Sequence, residues 1–449
     1  MNSNNQDTAS LPLAVRYGIA LSPAVMGQQT MSRFDAVNGS TFGMGASSQE
    51  IRINVSAPGF LLGSHSYLHF ELANVGSKGV KLQNSAADII ESIRLESNGV
   101  ELERLDGYNM YDGIIRNYKG IESTNTVGSI EGQPDTSLDA SNQVVAGVLS
   151  HIAATTGNNS YVIRLNSGFL SGGALKKAIP LIGTGGFTIV LRLATVSEAF
   201  IQVNADGTQS DGAVGAANVS VKNPRFYAPV FQIEDAGFAQ RYSTMLNSMG
   251  IEWSGVTSKR YTNQLAIGGA NNTNILQLND RSLSLRGFAT VIRPNANADA
   301  FKNNSLSGDV TICTRYRYMI SGQENPLGGI DVATNNPGRA YLEALNLFTD
   351  MTEPQTVVDD TLFLATAVSA AGAAGDTSNL YSKGSICVNL KKYGDRNLNL
   401  TGLNTAMSTT PSTVELTTTA IAAVMRVDTF AICDAIYRLD ANGAFSSVY

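Results

Sequence analysis

Residues 50–72 read EIRINVSAPGFLLGSHSYLHFEL and contain two runs in which apolar and polar side chains alternate. Every second residue is apolar, namely Ile51, Ile53 and Val55 in the first run and Leu68, Phe70 and Leu72 in the second. Alternation with a period of two gives a β-strand one apolar face, which a sheet can bury. The stretch therefore predicts two half-buried strands separated by a turn.

The strand pattern continues along the chain. Residues 91–104 carry apolar positions on both sides of Asn98-Gly99, a pair that favours a type I′ turn because both of its central residues take positive φ. We therefore predict a β-hairpin there. Further strands are predicted at residues 187–193, 226–233, 283–288, 310–318, 385–390 and 428–439.

Helical spacing of apolar residues is scarce. It predicts three short helices, at residues 108–118, 238–249 and 341–348. Many strands, few helices and long segments rich in Gly, Ser, Thr and Asn predict an all-β protein built from β-sandwiches.

Composition agrees with this fold class. The 449 residues include 43 glycines, and 43% are hydrophobic but only 15% charged. Ordinary globular domains have about 25% charged residues, and coiled coils or helical bundles are richer still in Glu and Lys. With 31 basic and 37 acidic residues the formal net charge is −6. This balance argues against a dedicated nucleic-acid-binding protein.

The predicted domain boundary lies near residue 235, where a strand-like run ends and a predicted helix begins. Each side is long enough for one eight-stranded jelly roll with large loops. We expect a first roll at residues 46–235 and a second at 236–449, with a linking helix near 236–249. Residues 1–45 precede the first predicted strand and are expected to form an N-terminal arm.

Residues that usually perform chemistry are few and scattered. His65 and His69 are four residues apart, but in a strand that spacing separates side chains by about 13 Å, too far to share one ion. His151 is expected in a polar loop without nearby cysteines or carboxylates. The pair Asp359-Asp360 does not by itself define a glycosidase site. We therefore predict no catalytic residue, no metal site and no cofactor.

Two motifs come close to functional signatures. Residues 181–186, LIGTGG, precede a predicted strand and no Lys-Ser/Thr follows, so neither a P-loop nor a dinucleotide fingerprint is present. Residues 315–318, RYRY, interleave basic and aromatic side chains, which could stack nucleic-acid bases. Alternation places the arginines on one face and the tyrosines on the other. We interpret this run as a strand with one packed and one solvated face.

Cys313, Cys387 and Cys433 are odd in number, far apart and without a CxxC pair. We expect three buried free thiols, consistent with assembly in a reducing intracellular compartment. The polar start, MNSNNQDTAS, lacks a secretory signal, and the apolar run 362–374 is too short to span a bilayer. Trp253, the only tryptophan, is expected to pack in a core.

Several stretches resemble, in their order along the chain, the major capsid proteins of the double jelly-roll lineage of DNA viruses, especially those of polinton-like viruses, virophages and adintoviruses. They are residues 50–72, 161–193 (YVIRLNSGFLSGGALKKAIPLIGTGGFTIVLRL), 227–250, 317–330 (RYMISGQENPLGGI), 339–348 and 427–446. No stretch is diagnostic alone, and the shared order over residues 48–449 carries the resemblance. Residues 1–45 lie outside it.

The resemblance implies a double jelly roll and a structural shell subunit, not an enzyme. It implies a homotrimer of pseudo-hexagonal outline that tiles an icosahedral shell around double-stranded DNA. The expected partners are neighbouring capsomers and minor capsid and vertex (penton) proteins. An internal membrane or the genome would lie at the inner face, without specific nucleic-acid sequence recognition. The expected location is the virion.

A receptor- or carbohydrate-binding β-sandwich, such as a fibre or lectin-like protein, is the alternative from another functional class. A lectin would usually show an aromatic or acidic binding cluster, whereas a duplicated roll with a linking helix favours the shell subunit. A hydrolase on a β scaffold is the least favoured interpretation.

Overall fold

The computed structural model describes residues 27–45, 49–118, 130–132, 151–155, 157–172, 176–203, 218–234, 236–294, 310–332, 338–348, 384–391, 400–421 and 424–449. Within these residues the chain forms 23 strands in five sheets. The structure is therefore predominantly β, as the sequence predicts.

Fourteen strands precede residue 234. They are β1 (Gly27–Asp35), β2 (Thr41–Gly43), β3 (Glu50–Val55), β4 (Phe60–Leu61), β5 (Tyr67–Asn74), β6 (Gly79–Leu82), β7 (Ile90–Ser97), β8 (Val100–Asp106), β9 (His151–Ile152), β10 (Gly157–Ile163), β11 (Ile179–Pro180), β12 (Phe187–Leu193), β13 (Phe200–Val203) and β14 (Val219–Ile233). One sheet has the order β10-β5-β14-β4-β11, with β1 and β2 also paired to β14. A second has the order β3-β12-β7-β8, and a third β13-β6-β9.

Nine strands follow residue 250. They are β15 (Ile251–Leu265), β16 (Asn272–Leu278), β17 (Leu285–Pro294), β18 (Cys313–Ile320), β19 (Gln323–Asp331), β20 (Ile386–Asn389), β21 (Ser412–Thr418), β22 (Met425–Leu439) and β23 (Phe445–Val448). They form one sheet of order β15-β22-β17-β20, with β23 paired to β22, and another of order β16-β21-β18-β19.

The described α-helices are short. They are α1 (Tyr108–Asn117), α2 (Gly168–Ser171), α3 (Val196–Ala199), α4 (Ala236–Met249) and α5 (Gly338–Phe348). Three 3₁₀ helices cover Gly63–His65, Ala86–Ile89 and Val310–Ile312. Helices α1, α4 and α5 confirm the three helices predicted from apolar spacing. Each of the five sheets takes its strands from one side of α4, so we refer below to a first half (residues 27–234) and a second half (residues 251–449).

The opening stretch has the predicted register. Ile51 and Ile53 in β3 and Leu68 and Phe70 in β5 are all at most 1% exposed, while the intervening side chains of β3 are exposed. The hairpin β7–β8 turns at Asn98 and Gly99, with φ values of 50° and 80°. Both values are positive, as a type I′ turn requires.

Part of the expected N-terminal arm, residues 1–45, pairs with a sheet of the first half. Strand β1 runs antiparallel along β14 from the Gly27–Ile233 pair to the Asp35–Arg225 pair, and β2 pairs with the same strand. Residues 27–43 thus extend a sheet of the first half, and only residues 1–26 of the predicted arm lie outside the described residues. The sequence GQQTMSRFD gave no alternating signal because most of β1 is exposed at the side of the sheet.

Other predicted boundaries move by a few residues. The strand predicted at 226–233 is the second part of β14, which begins at Val219. The strand predicted at 310–318 begins as a 3₁₀ turn and becomes β18 at Cys313. The apolar run 362–374 lies outside the described residues. Among the described helices, none is both long enough and apolar enough to cross a membrane.

Candidate functional site: the junction between the two halves

The structure places the histidines in separate settings. His65 ends a 3₁₀ turn. His69 lies in β5, where its Nε2 is 2.8 Å from Ser160 Oγ, and burial together with the charge of Arg225 lowers its pKa. His151 begins β9 instead of lying in a loop. Within the described ranges no group of three or more His, Cys, Asp or Glu residues could hold a metal ion. The pair at 359–360 lies outside those ranges.

The Arg-Tyr run has the predicted two faces. Tyr316 and Tyr318 are at most 1% exposed, whereas Arg315 is exposed. The two tyrosine hydroxyls donate to the backbone carbonyls of Cys387, at 3.0 Å, and Ile386, at 2.9 Å. The tyrosines therefore join β18 of one sheet to β20 of the other, which is a structural role.

All three cysteines are buried and free, as predicted. Burial raises the pKa of Cys313, Cys387 and Cys433 to about 12. At neutral pH these thiols stay protonated, which makes them poor nucleophiles.

The two halves meet through an aromatic cluster centred on Phe169 of α2. Its ring packs against four others at centroid distances of 5.1–5.7 Å: Phe187 of the first half, and Trp253, Tyr437 and Phe445 of the second. The Trp253 indole N–H also donates to the Phe169 carbonyl at 3.2 Å. Trp253 is only 3% exposed, which confirms its predicted place in a core. We call this contact region, formed by α2 and β8 against β15, β22 and β23, the inter-half junction.

Two glycines allow the backbones to approach closely at this junction. A Cβ atom on Gly255 would lie 2.0 Å from the Gly168 carbonyl oxygen. A Cβ atom on Gly168 would lie 2.8 Å from the Val256 carbonyl oxygen. Because both of these carbonyl oxygens are backbone atoms, they cannot move aside as a flexible side chain could. The packing of α2 against β15 therefore depends on both glycines.

Glu103 supplies the polar part of the junction. It lies in β8, is 1% exposed, and accepts hydrogen bonds from the backbone N–H groups of Gly168, at 2.9 Å, and Phe169, at 3.2 Å. The Ser167 hydroxyl also donates to it. A buried carboxylate is stable only when such partners replace water. Glu103 thus fixes the chain around Phe169 against β8.

Further contacts cross between the halves around helix α1. Tyr111 packs on Phe430 of β22 at 5.8 Å, and Tyr118 stacks on Phe348 of α5 at 5.1 Å. The Arg260 side chain of β15 lies against Gly107, where an added Cβ would be 2.6 Å from its Nη1 atom.

Arg260 belongs to a buried charge cluster around Asp428. Arg260 and Arg293 each approach this carboxylate to 2.9 Å, and Arg426 approaches it to 3.2 Å. Burial alone would raise the pKa of Asp428, but the guanidinium groups of Arg293, Arg260 and Arg426 outweigh it, and the pKa is lowered. The carboxylate therefore stays ionised and anchors strands β15, β17 and β22 to one another.

Sequence reasoning missed Glu103, Gly255 and the Asp428 cluster. Each depends on which segments meet across the molecule, and strand alternation does not carry that information. The single local signal is the Ser-Gly-hydrophobic turn at 167–170, which stands within the 161–193 stretch that resembles the capsid proteins.

Comparison with solved structures decides the fold. The chain superposes on a chain of the PBCV-1 virus capsid with a TM-score of 0.60 and 10% sequence identity, over 96% of this chain and 98% of that one. The chain therefore has the double jelly-roll fold. The double jelly roll also superposes on the mavirus major capsid protein (TM-score 0.58, 12% identity, 100% and 96% covered). A Sputnik virophage structure gives a TM-score of 0.57 at 13% identity, with 97% and 92% covered.

The relationship lies in structure and not in sequence. No known protein family matches the sequence. No curated protein matches it either. The superpositions on solved structures confirm the double jelly-roll fold predicted from the sequence.

Proposed function

We propose that this protein is the major capsid protein of a DNA virus, with a structural and not an enzymatic role in the virion shell. The main support is that each superposition covers nearly all of both chains. It covers 96% of this chain and 98% of the PBCV-1 capsid chain, and 100% of this chain and 96% of the mavirus major capsid protein. An isolated sandwich, such as a lectin domain, would match one roll of such proteins and leave the other uncovered.

The proposed domain division has a first roll over residues 46–235 and a second over 236–449, with α4 linking them. It is supported by the sheets, since each takes strands from only one side of α4. In this division residues 1–45 are the proposed N-terminal arm, whose strands β1 and β2 pair with β14 of the first roll.

The proposed assembly is a homotrimer. A ring of three chains with two rolls each contains six similar units, so its outline approaches a hexagon. Such trimers can tile an icosahedral shell around double-stranded DNA. The junction supports this geometry because glycine contacts, aromatic packing and the Glu103 hydrogen bonds fix one roll against the other. Neighbouring capsomers, minor capsid proteins and vertex proteins are the proposed partners, with a membrane or the genome at the inner face.

We further propose that assembly occurs in a reducing compartment. The three cysteines are free and buried at separate places in the second half. A protein that matured under oxidising conditions would more often pair such residues.

Light scattering coupled to size-exclusion chromatography tests the assembly. The full chain should elute at three times the 47.5 kDa mass of one chain. The trimer should persist in 1 M salt, because obligate interfaces are held mainly by apolar burial and not by charge. Negative-stain images of the same fractions should show pseudo-hexagonal towers.

Other masses would change the proposal. A stable monomer at micromolar concentration would contradict the capsid function and favour the receptor- or carbohydrate-binding alternative. A pentamer would place the protein at a vertex of the shell.

A further inference from the structure

A cleft of about 560 Å³ opens between the two halves, beside the inter-half junction. Ser64 and Leu165 line it from the first half, and Val256 and Ile432 from the second. Small-molecule sites in proteins typically have volumes of about 300–1,000 Å³ and favour such boundaries between domains. The cleft is therefore large enough for a small ligand.

The lining is strongly basic on a chain whose net charge is −6. Arg164, Lys176, Arg286 and Lys391 border the cleft, and Asp434 is the single acidic residue among the described residues that line it. The four basic side chains come from four separate segments, two in each half. Their convergence is thus a product of the tertiary fold.

The charge of Asp434 is already neutralised. Its Oδ1 accepts a hydrogen bond from Arg286 Nε at 2.6 Å, and its Oδ2 accepts from the Ser284 hydroxyl at 2.6 Å and the Thr401 N–H at 2.9 Å. Its side chain is 1% exposed. Asp434 therefore holds Arg286 in place, and within the described residues it forms no ion pair with Arg164 or Lys176.

Arg164 and Lys176 are exposed, and within the described part of the chain neither forms an ion pair. Lys391 is held at the cleft by a hydrogen bond from its Nζ to the Asn346 carbonyl at 3.2 Å. Ser254 adds a hydroxyl group to the lining, whereas the Ser171 hydroxyl donates to the Gly168 carbonyl at 2.8 Å. Positive side chains together with hydroxyl donors are the groups that recognise phosphate oxygens.

We propose that the cleft between the halves binds a small anion carrying several phosphate groups, with Arg164, Lys176 and Lys391 as its charged contacts. The volume of about 560 Å³ favours a compact polyanion, such as a tripolyphosphate chain or a nucleoside triphosphate, over a nucleic-acid strand. A ligand there would touch both halves at once and stabilise their relative placement. The proposal is independent of whether the chain forms a shell.

Isothermal titration calorimetry of the full-length protein with inorganic tripolyphosphate at low salt tests the site. We expect one site per chain, and affinity that falls as salt rises because the contacts are ionic. The double variant Arg164→Glu/Lys176→Glu should weaken binding by at least about tenfold. ATP as a second probe distinguishes recognition of the phosphate chain alone, with equal affinities, from recognition of a nucleotide, with tighter binding of ATP.

The matched control is Arg241→Glu/Arg281→Glu, which changes the net charge equally at exposed residues outside the lining. It should bind tripolyphosphate as the original protein does, within about twofold. Unchanged Trp253 fluorescence verifies that both variants fold. Equal losses in both double variants, or no binding at millimolar tripolyphosphate, would overturn the proposal. Tighter binding of hexaglutamate than of tripolyphosphate would also overturn it and assign the cleft to an acidic peptide.

Discussion

Strands β5 and β22 both lie in the core, yet they bury their side chains differently. From Tyr67 to Leu72, β5 alternates between half-buried and buried residues. In β22 every residue from Val427 to Ala435 is buried. The difference teaches that apolar and polar residues alternate only where one face of the sheet contacts solvent. A sheet that is covered on both faces has no solvated side and therefore no such alternation.

Strand β22 is covered on one face by the opposite sheet of the second half and on the other by the first half. The Thr429 hydroxyl lies 2.9 Å from that of Thr290, which is in turn 2.8 Å from the Tyr318 hydroxyl of the opposite sheet in the second half. The next residue, Phe430, packs on Tyr111 of the first half. Successive residues of β22 therefore contact different layers of the molecule.

The largest expected effect comes from placing a charge on a buried face, which β5 has on one side and β22 on both. Phe70→Asp in β5 and both Phe430→Asp and Ala431→Asp in β22 should each destabilise the protein by several kcal/mol, about enough to prevent soluble folding, because an unpaired charge is buried. His69→Asp should change stability by no more than about 1 kcal/mol, since position 69 is half-buried and faces Arg225 across the strand pair.

Soluble yield and the free energy of chemical unfolding measure the effects of these four substitutions. Damage from His69→Asp equal to that from Phe70→Asp would show that the register of β5 is wrong. Tolerance of Ala431→Asp would show that one face of β22 is open.

Buried carboxylates offer a second contrast, in their response to pH. Asp428 sits among three arginines and its pKa is lowered, whereas burial raises the pKa of Asp88 to about 7. A raised folded-state pKa gives stability that is present at low pH and is lost as the pH rises from about 4 to 7. At about 1.4 kcal/mol per pKa unit, the loss is at most about 4 kcal/mol.

Asp88→Asn should remove this loss. The amide is isosteric, and its oxygen can still accept from the N–H groups of Asn84 and Ser85 that now bind the carboxylate. Guanidinium unfolding at pH 5 and pH 8 should show a smaller decrease in stability for the variant than for the original protein. Equal decreases would mean that Asp88 is ionised in the folded state at both pH values.

The junction that covers β22 can be broken sterically. Gly255→Ala places a methyl group against the Gly168 carbonyl and should destabilise the protein by about 3 kcal/mol or more, because two backbone segments must separate. Gly269→Ala is the control, since a Cβ there meets no atom within 4 Å, and it should have an effect within about 0.5 kcal/mol. Thermal unfolding followed by circular dichroism compares them, and equal effects would contradict the close approach of α2 and β15.

Trp253→Phe probes the same junction more gently. It leaves the Phe169 carbonyl without its indole donor and should cost about 1–3 kcal/mol while retaining an aromatic ring. The measurement is the free energy of unfolding by circular dichroism. Before substitution, the emission of this single tryptophan should be that of a buried indole and should shift to longer wavelength on unfolding. An emission typical of a solvated indole in the native protein would contradict the buried position.

The smallest effect concerns reactivity alone. With pKa values near 12, Cys313, Cys387 and Cys433 should not react with Ellman's reagent at pH 8 in the native protein. All three should react after denaturation in guanidinium. Rapid reaction of any thiol before denaturation would show that its segment opens locally.

Much of the fold follows from local pattern. The strand pair in residues 50–72, the Asn98-Gly99 hairpin and the short helices were predictable because period, turn chemistry and apolar spacing depend only on neighbouring residues. Strand β1 was not predictable, because an exposed strand has no buried face to impose a pattern. The cleft was not predictable either, since Arg164, Lys176 and Lys391 are unremarkable basic residues in sequence.

The sequence by itself determined the strands, their inward faces and the all-β class, because side-chain alternation is a property of a single extended segment. Only the tertiary structure decided that Glu103 is buried, that Gly168 and Gly255 must lack side chains, and that Asp428 gathers three arginines. These features arise where segments distant in sequence come within a few ångströms of each other. Steric exclusion and electrostatic interactions act between groups that are close in space. Which groups come close is decided only when the two halves pack against each other.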